Sequence, residues 1–320
     1  MYYICSVSRF GMKVVNVRLP SKVVKELENL AKRHDLSRSE VIRQALIVYI
    51  HFVENVGTLL RPTIFRVKPS QISYVTRGDV SIMKIPTGHA IVVGSSSSGG
   101  IGPKPMDTIK ISGRIVGKFL ARVASMDVAA TGAFPISVSV TLGVEKEPTG
   151  NEILEGIRKE IRVLGLESNQ VLKGNTEENF ETIQTGAGIT VVGLANEDEL
   201  RLGKTVPGDL IVAIGKPKVG DEVIPAEARG EIANLKDVTS LARKGYVHDI
   251  VPVGAFGIIH EAKTLAYSIG RQLKIDENTK IDLNKSAGPA TVVLITIDQE
   301  KLDELTFFIH KPINVVGEIM

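Results

Sequence analysis

The residue types from which a ligand pocket can be built are concentrated in one stretch, IVVGSSSSGGIGPKPMDTIKISGRIVGKFLARVASMDVAATGAFP, residues 91–135. Ile91-Val92-Val93 is an apolar run long enough for a buried strand. It is expected to break at Gly94 into a loop of serines followed by Gly99, Gly100 and Gly102. Glycines let the backbone approach a ligand closely, and consecutive N–H groups in such a loop form a nest for phosphate oxygens. Ser96, Ser97, Ser98, Gly99, Gly100, Gly102 and Lys104 are therefore the candidate nucleotide- or ligand-binding residues of this wall. Downstream, Val116, Phe119, Leu120, Val123 and Ala124 recur at helical spacing, and the helix they define delivers Asp127, a carboxylate that could face the loop. A Ser/Gly run also has the composition of a flexible linker. Ordered patterns on both sides argue against that, because each needs a packed junction.

A second polar, glycine-led loop, Gly174-Asn175-Thr176-Glu177, leads toward the strand pattern at 188–193 and supplies a plausible second wall. The remaining elements follow from periodicity. Strand-like pieces are expected at 63–67 and within 70–84, then a strand at 136–144 and an amphipathic helix at 152–164 with Ile153, Leu154, Ile157, Ile161 and Leu164 inward. Further strands are expected at 290–297 and 313–316, and helices at 237–243, 258–270 and 299–308. His89 is assigned no role. His248 and Asp249 are neighbours on an extended segment and point to opposite faces. Gly254 and Gly257 make a strand-to-helix turn near the substrate.

A different chemistry lies at the N-terminus. Val14-Val15-Asn16-Val17-Arg18-Leu19 is a short strand with Val14, Asn16 and Arg18 on one face, ended by Pro20. Ser21 is expected to cap a helix with Val24, Leu27, Leu30 and Ala31 on its buried stripe. Ser37 caps a second one, with Glu40 at capping-box spacing. One strand and two helices in some forty residues cannot bury such stripes alone, so dimerisation is expected, and two paired strands make a ribbon that fits the DNA major groove. Asn is suited to adenine and Arg to guanine. Residues 12–54 also hold eight Lys and Arg against five Asp and Glu, which places the positive excess of the chain here.

Two family resemblances give these patterns names. Residues 12–54, with the alternating strand, the Leu-Pro-Ser boundary, the helix and LSRSEVIRQAL, resemble the ribbon-helix-helix repressors. That resemblance implies that Val14, Asn16 and Arg18 enter the groove while the backbone near Ser37, Arg38 and Ser39 grips a phosphate. MDVAATGAFPISVSVTLGV (126–144) is similar to the Asp-x-x-Ala-x-Gly-Ala-x-Pro segment of the aminoimidazole ribonucleotide synthetase superfamily, and SSGGIGPKPMDTIKI with FLARVASMDVAATGAFP is closest to its α-ribazole kinase-like branch. The resemblance implies an α/β (α+β) fold in two halves, 60–206 and 207–320, a dimer, ATP and Mg²⁺. It also implies that Asp127 and Glu177 face the metal, and Asn175 or Thr176 the phosphates. Where related families place an aspartate just after the central strand, this chain has Ser96, and the first carboxylate downstream is Asp107.

Composition bounds the rest. The chain has 320 residues, 43% of them apolar, no Trp, 5% aromatics and a net charge of +3, so Val, Ile, Leu and Ala fill a large core. One cysteine, Cys5, excludes an intrachain disulfide and fits a reducing cytoplasm. The apolar run 46–53 is too short to span a bilayer, and the native start is Met1 or Met12. The expected protein is a cytoplasmic homodimer or higher even-numbered oligomer that binds double-stranded DNA and a nucleotide or small-molecule effector. Its function is transcriptional regulation by a ribazole-like or nucleotide effector or, alternatively, ATP- and Mg²⁺-dependent phosphorylation of such a molecule, with no catalytic residue assigned.

Overall fold

The computed structural model describes residues 17–56, 69–167, 171–172 and 174–320, and the chain divides into two compact units, Met1–Arg66 and Val67–Met320. In the first unit, helices α1 (Ser21–His34) and α2 (Arg38–Val56) are joined by a turn in which Asp35 adopts a left-handed conformation. The cap of α1 is Pro20 rather than Ser21, and the Pro20 carbonyl accepts from the N–H groups of Val23 and Val24. Proline's fixed φ holds the chain extended up to the first helical residue, so Ser21 falls inside the helix. The cap of α2 matches expectation: the Ser37 hydroxyl accepts from Glu40 N–H at 3.2 Å, and the Glu40 carboxylate accepts from Ser37 N–H at 3.1 Å. Of the expected buried stripe of α1 only Ala31 is buried, and on α2 Leu46, Ile47, Val48 and Ile50 are all more than half exposed. Among the described residues of this unit, these apolar positions are left uncovered. Val14 and Asn16, and the strand expected at 63–67, lie outside the described residues.

The second unit contains two main sheets. The first part of its chain runs β1 (Ser73–Arg77), β2 (Val80–Ile85), β3 (His89–Gly99), the short β4 (Ile101–Gly102) and β5 (Ile109–Lys110), α3 (Gly113–Ala130), β6 (Phe134–Leu142), α4 (Asn151–Ile161), β7 (Val171–Leu172) and β8 (Gly186–Asn196). Strands order as β1-β2-β3-β8-β6-β7, antiparallel except for the parallel β6–β7 pair, while β4 and β5 form a separate parallel pair. Residues 70–84 are two strands rather than one, folded back at Gly78 (φ +53°) and Asp79. Then follow β9 (Leu210–Gly215), α5 (Val223–Ala228), α6 (Leu235–Leu241), β10 (Val247–Pro252), α7 (Gly257–Ser268), β11 (Leu273–Ile275), β12 (Val292–Ile297), α8 (Leu302–Phe308) and β13 (Ile313–Ile319). These strands form an antiparallel sheet in the order β10-β12-β9-β13-β11.

Period-2 alternation explains the layering. In β9 Leu210, Val212 and Ile214 join the main core, while Ile211 and Ala213 face a second core under α7 with Ile258, Ala262 and Leu265. Helix α3 lies against β3, β6 and β8 of the first sheet and also touches β10 of the second sheet and helix α6, so it sits between the halves. The inward residues expected on α4, Ile153, Leu154, Ile157, Ile161 and Leu164, are all buried, the last in a 3₁₀ turn at Arg162–Leu164. Buried Arg122 of α3 pairs with Glu160 at 2.7 Å and Glu227 at 2.7 Å, stitching α3 to α4 and α5.

Glycine sets how closely α3 can pack. A Cβ on Gly117 would lie 2.0 Å from the Ile153 carbonyl oxygen, and one on Gly156 would lie 2.0 Å from that of Arg114. These are backbone contacts that no rotamer change relieves. Gly117→Ala should therefore cost about 3 kcal/mol or more in urea unfolding. Gly245→Ala, whose Cβ would meet nothing within 4 Å, should change the midpoint by less than about 0.5 kcal/mol. Equal midpoints for the two variants would contradict this packing.

Candidate functional site

The serine run belongs to a strand, not to a loop. β3 continues without interruption through Gly94 to Gly99, and its register with β8 is unbroken from His89 opposite Asn196 to Gly99 opposite Gly186. Pairing with β2 ends at Gly94 opposite Val80, so Ser95 to Gly99 keep a β8 partner on one side only. Gly94 is needed for a different reason than a chain break. A Cβ there would lie 2.9 Å from the Ala124 carbonyl oxygen and 3.0 Å from a methyl of Val128, so this glycine lets α3 lie directly on the strand.

The glycine turn beyond the strand uses its own polar groups internally. Gly100 N–H donates to the Thr185 carbonyl at 2.9 Å, and Gly102 (φ +152°) has its Cβ position filled by Thr185. Asp107 is buried there and accepts from Thr185 N–H, Thr185 hydroxyl and Lys104 N–H at 2.7–2.8 Å. Burial alone would raise its pKa, but these hydrogen bonds hold it below the usual carboxylate value. Lys104 forms an ion pair with Glu145, and Lys110 donates to the backbone carbonyls of Lys104 and Pro105. The expected phosphate nest is thus occupied by the protein itself.

A cavity of about 1210 Å³ opens beside α3, larger than a typical small-molecule site. Its walls include Ser96, Ser97, Ser98 and Gly99 from β3, Asp79 from the β1–β2 turn, Asp127 from α3, and Phe256, His260 and Glu261 from the segment entering α7. Gly100, Gly102 and Lys104 do not line it. Neither do Asn175, Thr176 and Glu177: Asn175 lines a separate shallow depression with Thr141 and Gly188, and the Glu177 carboxylate accepts from Asn179 N–H at 2.8 Å. The groups that accompany Asp127 are instead Asp79 and Glu261.

Electrostatics mark this convergence. Burial, then the charges of Asp79 and Glu261, push Asp127 up to about 8. Burial and the Asp79 charge also raise Glu261, against the opposing pull of His260 and Arg77. Arg77 is engaged elsewhere, donating to fully buried Asp249 at 2.8 Å and to the Arg201 carbonyl at 2.9 Å. The rings of Phe256 and His260 lie 5.1 Å apart at the cavity wall, offering a face on which a planar group can stack. Sequence reasoning passed over Asp79 and Glu261. Asp79 had a local signal, a Gly-Asp turn between two alternating strands, but Glu261 lies in a helix far along the chain and only the fold brings it here.

Of the N-terminal candidates, Arg18, Ser37, Arg38 and Ser39 are all exposed, with Arg38 bonded to Glu28 at 2.9 Å. Residues 13–50 match the model of the ribbon-helix-helix protein, copG family, and residues 77–195 match that of the AIR synthase related protein, N-terminal domain. The chain joins a ribbon-helix-helix domain to an AIR synthase-related domain. No curated protein sequence matches the chain. Among solved structures it is similar to the thiamine-monophosphate kinase of Stenotrophomonas maltophilia K279a, with 15% identity, TM-score 0.54, 79% of this chain and 89% of that one. It is also similar to T. maritima PurL complexed with ATP, with 16% identity, TM-score 0.53, 93% of this chain and 51% of that one. A third likeness is to the hydrogenase maturation protein HypE in complex with ATP, with 16% identity, TM-score 0.51, 71% of this chain and 76% of that one. At these identities the likeness is one of fold. No helix among the described residues is long and apolar enough to cross a membrane.

The AIR synthase-related domain should carry a pH signature of its cavity. Folded Asp127 holds a proton up to about pH 8, whereas the unfolded chain releases it near the ordinary value of 3.8. Stability therefore falls as pH rises between those values. Because Asp127 keeps some access to solvent, Asp127→Asn should exceed the wild type by only about 1–3 kcal/mol at pH 8.5, with little difference at pH 4. Urea unfolding at the two pH values checks this, and parallel pH profiles for the two proteins would contradict it.

Proposed function

We propose that this protein is a DNA-binding transcriptional regulator whose AIR synthase-related domain binds a nucleotide or ribazole-like effector in the cavity beside α3. The observation that carries the proposal is the joining, in one chain, of a ribbon-helix-helix domain to a cavity lined by the β3 serines, the Phe256–His260 pair and carboxylates that include Asp79, Asp127 and Glu261. Arg18 is exposed immediately before α1, where a strand from each of two chains would meet the major groove together with Val14 and Asn16. The N-terminus of α2 offers the N–H groups of Ser39 and its neighbours to a DNA phosphate.

Assembly as a homodimer is part of the proposal, and exposed apolar surfaces support it. The apolar side of α2 is one. A second crosses the first sheet, where Tyr74, Met83, Ile91, Leu194 and Phe134 stand opposite one another on successive strands, with Phe134, Tyr74 and Leu194 exposed. Two such interfaces on one chain let a change at the cavity alter the spacing of the paired ribbons, a shift between two dimer geometries.

Carboxylate oxygens are the donors a hard cation prefers, and Asp127, Asp79 and Glu261 line one cavity; their oxygens are not gathered within 4.8 Å of one another as those of a closed ion site would be, so Mg²⁺ would be held there only together with nucleotide phosphates. Bound there, Mg²⁺ would neutralise phosphate charge. The chain's own groups orient the ligand: the β3 serines offer hydroxyls and one unpaired strand edge, and Phe256 with His260 supports a ring. The solved structures of PurL and HypE with ATP support a nucleotide as that ligand. A second reading, an active ATP-dependent kinase of a ribosylated heterocycle, draws on the same carboxylates, because Asp79 and Glu261 compensate for the family aspartate replaced by Ser96.

Selection of bound sequences from random duplex DNA, with and without ATP and Mg²⁺, tests the regulator. The expected result is sequence-selective, salt-sensitive binding that ATP with Mg²⁺ alters, and that Arg18→Ala weakens by about 1–3 kcal/mol. Binding indifferent to sequence and to Arg18 would overturn it. Formation of a phosphorylated nucleoside that is lost in Asp127→Ala would instead favour the kinase.

A further inference from the structure

Away from the cavity, three neighbouring strands of the second sheet each bring one metal-binding side chain to the same point. Asp209 immediately precedes β9, Asp298 immediately follows β12, and His248 is the second residue of β10. The register explains the meeting, because Ile297 of β12 stands opposite both Leu210 of β9 and Val247 of β10. One ligand atom from each of Asp209, His248 and Asp298 lies within 4.8 Å of the other two. Asp209 is 1% exposed, and its carboxylate is fixed by Val206 N–H at 2.9 Å.

Two details make this more than a buried ion pair. His248 Nδ1 and Asp209 Oδ2 are 2.8 Å apart, a hydrogen bond that fixes the pair in place and that a shared cation would replace by spreading the two atoms to about 3.4 Å. Asp298, moreover, occupies the N-cap of the 3₁₀ turn Gln299–Lys301, where an aspartate ordinarily accepts from the turn's own N–H groups, yet its side chain makes no cap hydrogen bond. Among the described residues no hydrogen bond or ion pair to that carboxylate is found. An exposed aspartate has given up its local partner and stands beside a second carboxylate and an imidazole.

We propose that Asp209, His248 and Asp298 bind one divalent first-row transition metal of the zinc type, distinct from any cation carried into the cavity with a nucleotide. An imidazole nitrogen in the set selects against Mg²⁺ and Ca²⁺, which take oxygen ligands, and two carboxylates balance the charge of a divalent ion. Three protein ligands leave a position for water on the side of exposed Asp298. The ion ties the ends of β9, β10 and β12 together. Asp209 also accepts through its backbone from Ile319 N–H at 2.9 Å, so β13 is held to the same point.

The test uses the full chain, stripped with a chelator and titrated with Zn²⁺ alone, and in parallel with Mg²⁺, against a chromophoric competitor. The expected result is tight Zn²⁺ binding that His248→Ala and Asp298→Ala each weaken about tenfold or more, while Asp127→Ala leaves it unchanged and Mg²⁺ at equal concentration does not compete. Asp298 is exposed, so its variant keeps the fold and isolates the ligand role. A thermal upshift with Zn²⁺ in the wild type that is lost in Asp298→Ala is the second expected readout. Failure of the wild type to retain zinc, or retention unaltered in both variants, would overturn the proposal.

Discussion

Contact between helix α3 and bare backbone is the constraint on which the second unit depends. Gly94 lets the helix lie on the central strand, while Gly117 and Gly156 let it cross α4 with carbonyl oxygens where Cβ atoms would otherwise sit. A helix held on two sides by backbone has little freedom to rotate or slide. Its polar residues are then fixed by geometry: Arg122 turns into the buried pairs with Glu160 and Glu227, and Asp127 faces the cavity. The same helix touches both sheets, so the two halves meet across the element that carries the central carboxylate.

From that placement comes the chemistry of the cavity. Asp127, Asp79 and Glu261 come from a helix, a hairpin turn and a second helix, and they line one cavity with apolar residues such as Val116, Leu120, Ile250 and Val253. Carboxylates gathered in such surroundings are expensive to ionise together, which is why Asp127 keeps its proton to about pH 8. An entering cation would reverse that cost. The proposed nucleotide effector rests on this match between an apolar cavity wall and an anionic end brought to the carboxylates.

The sequence carried the elements more fully than their connections. Alternation and 3.6-residue periodicity located α3, α4, β6 and β12, because those segments are buried on defined faces and their apolar spacing records it. Ser37 and Glu40 declared their cap through spacing alone. Gly94 misled: a glycine inside a strand pattern signals either a break or a close approach, and local sequence does not separate the two, since the partner is Ala124, thirty residues away in the chain. Glu177 was paired with Asp127 through family resemblance, whereas the structure gives Asp127 the company of Asp79 and Glu261. Contacts between distant segments leave no periodic trace. The Asp209–His248–Asp298 group depends in the same way on the register of three strands.

The most direct measurement of the central claim is amide hydrogen exchange of the full chain with and without ATP and Mg²⁺. If the cavity beside α3 is the ligand site, protection should rise together in three separate segments, the turn at 77–80, the serine strand at 95–99 and the entry to α7 at 252–261, with the loop at 174–178 unchanged. Protection confined to 174–178, or no change in any of the three segments at saturating ligand, would contradict the account.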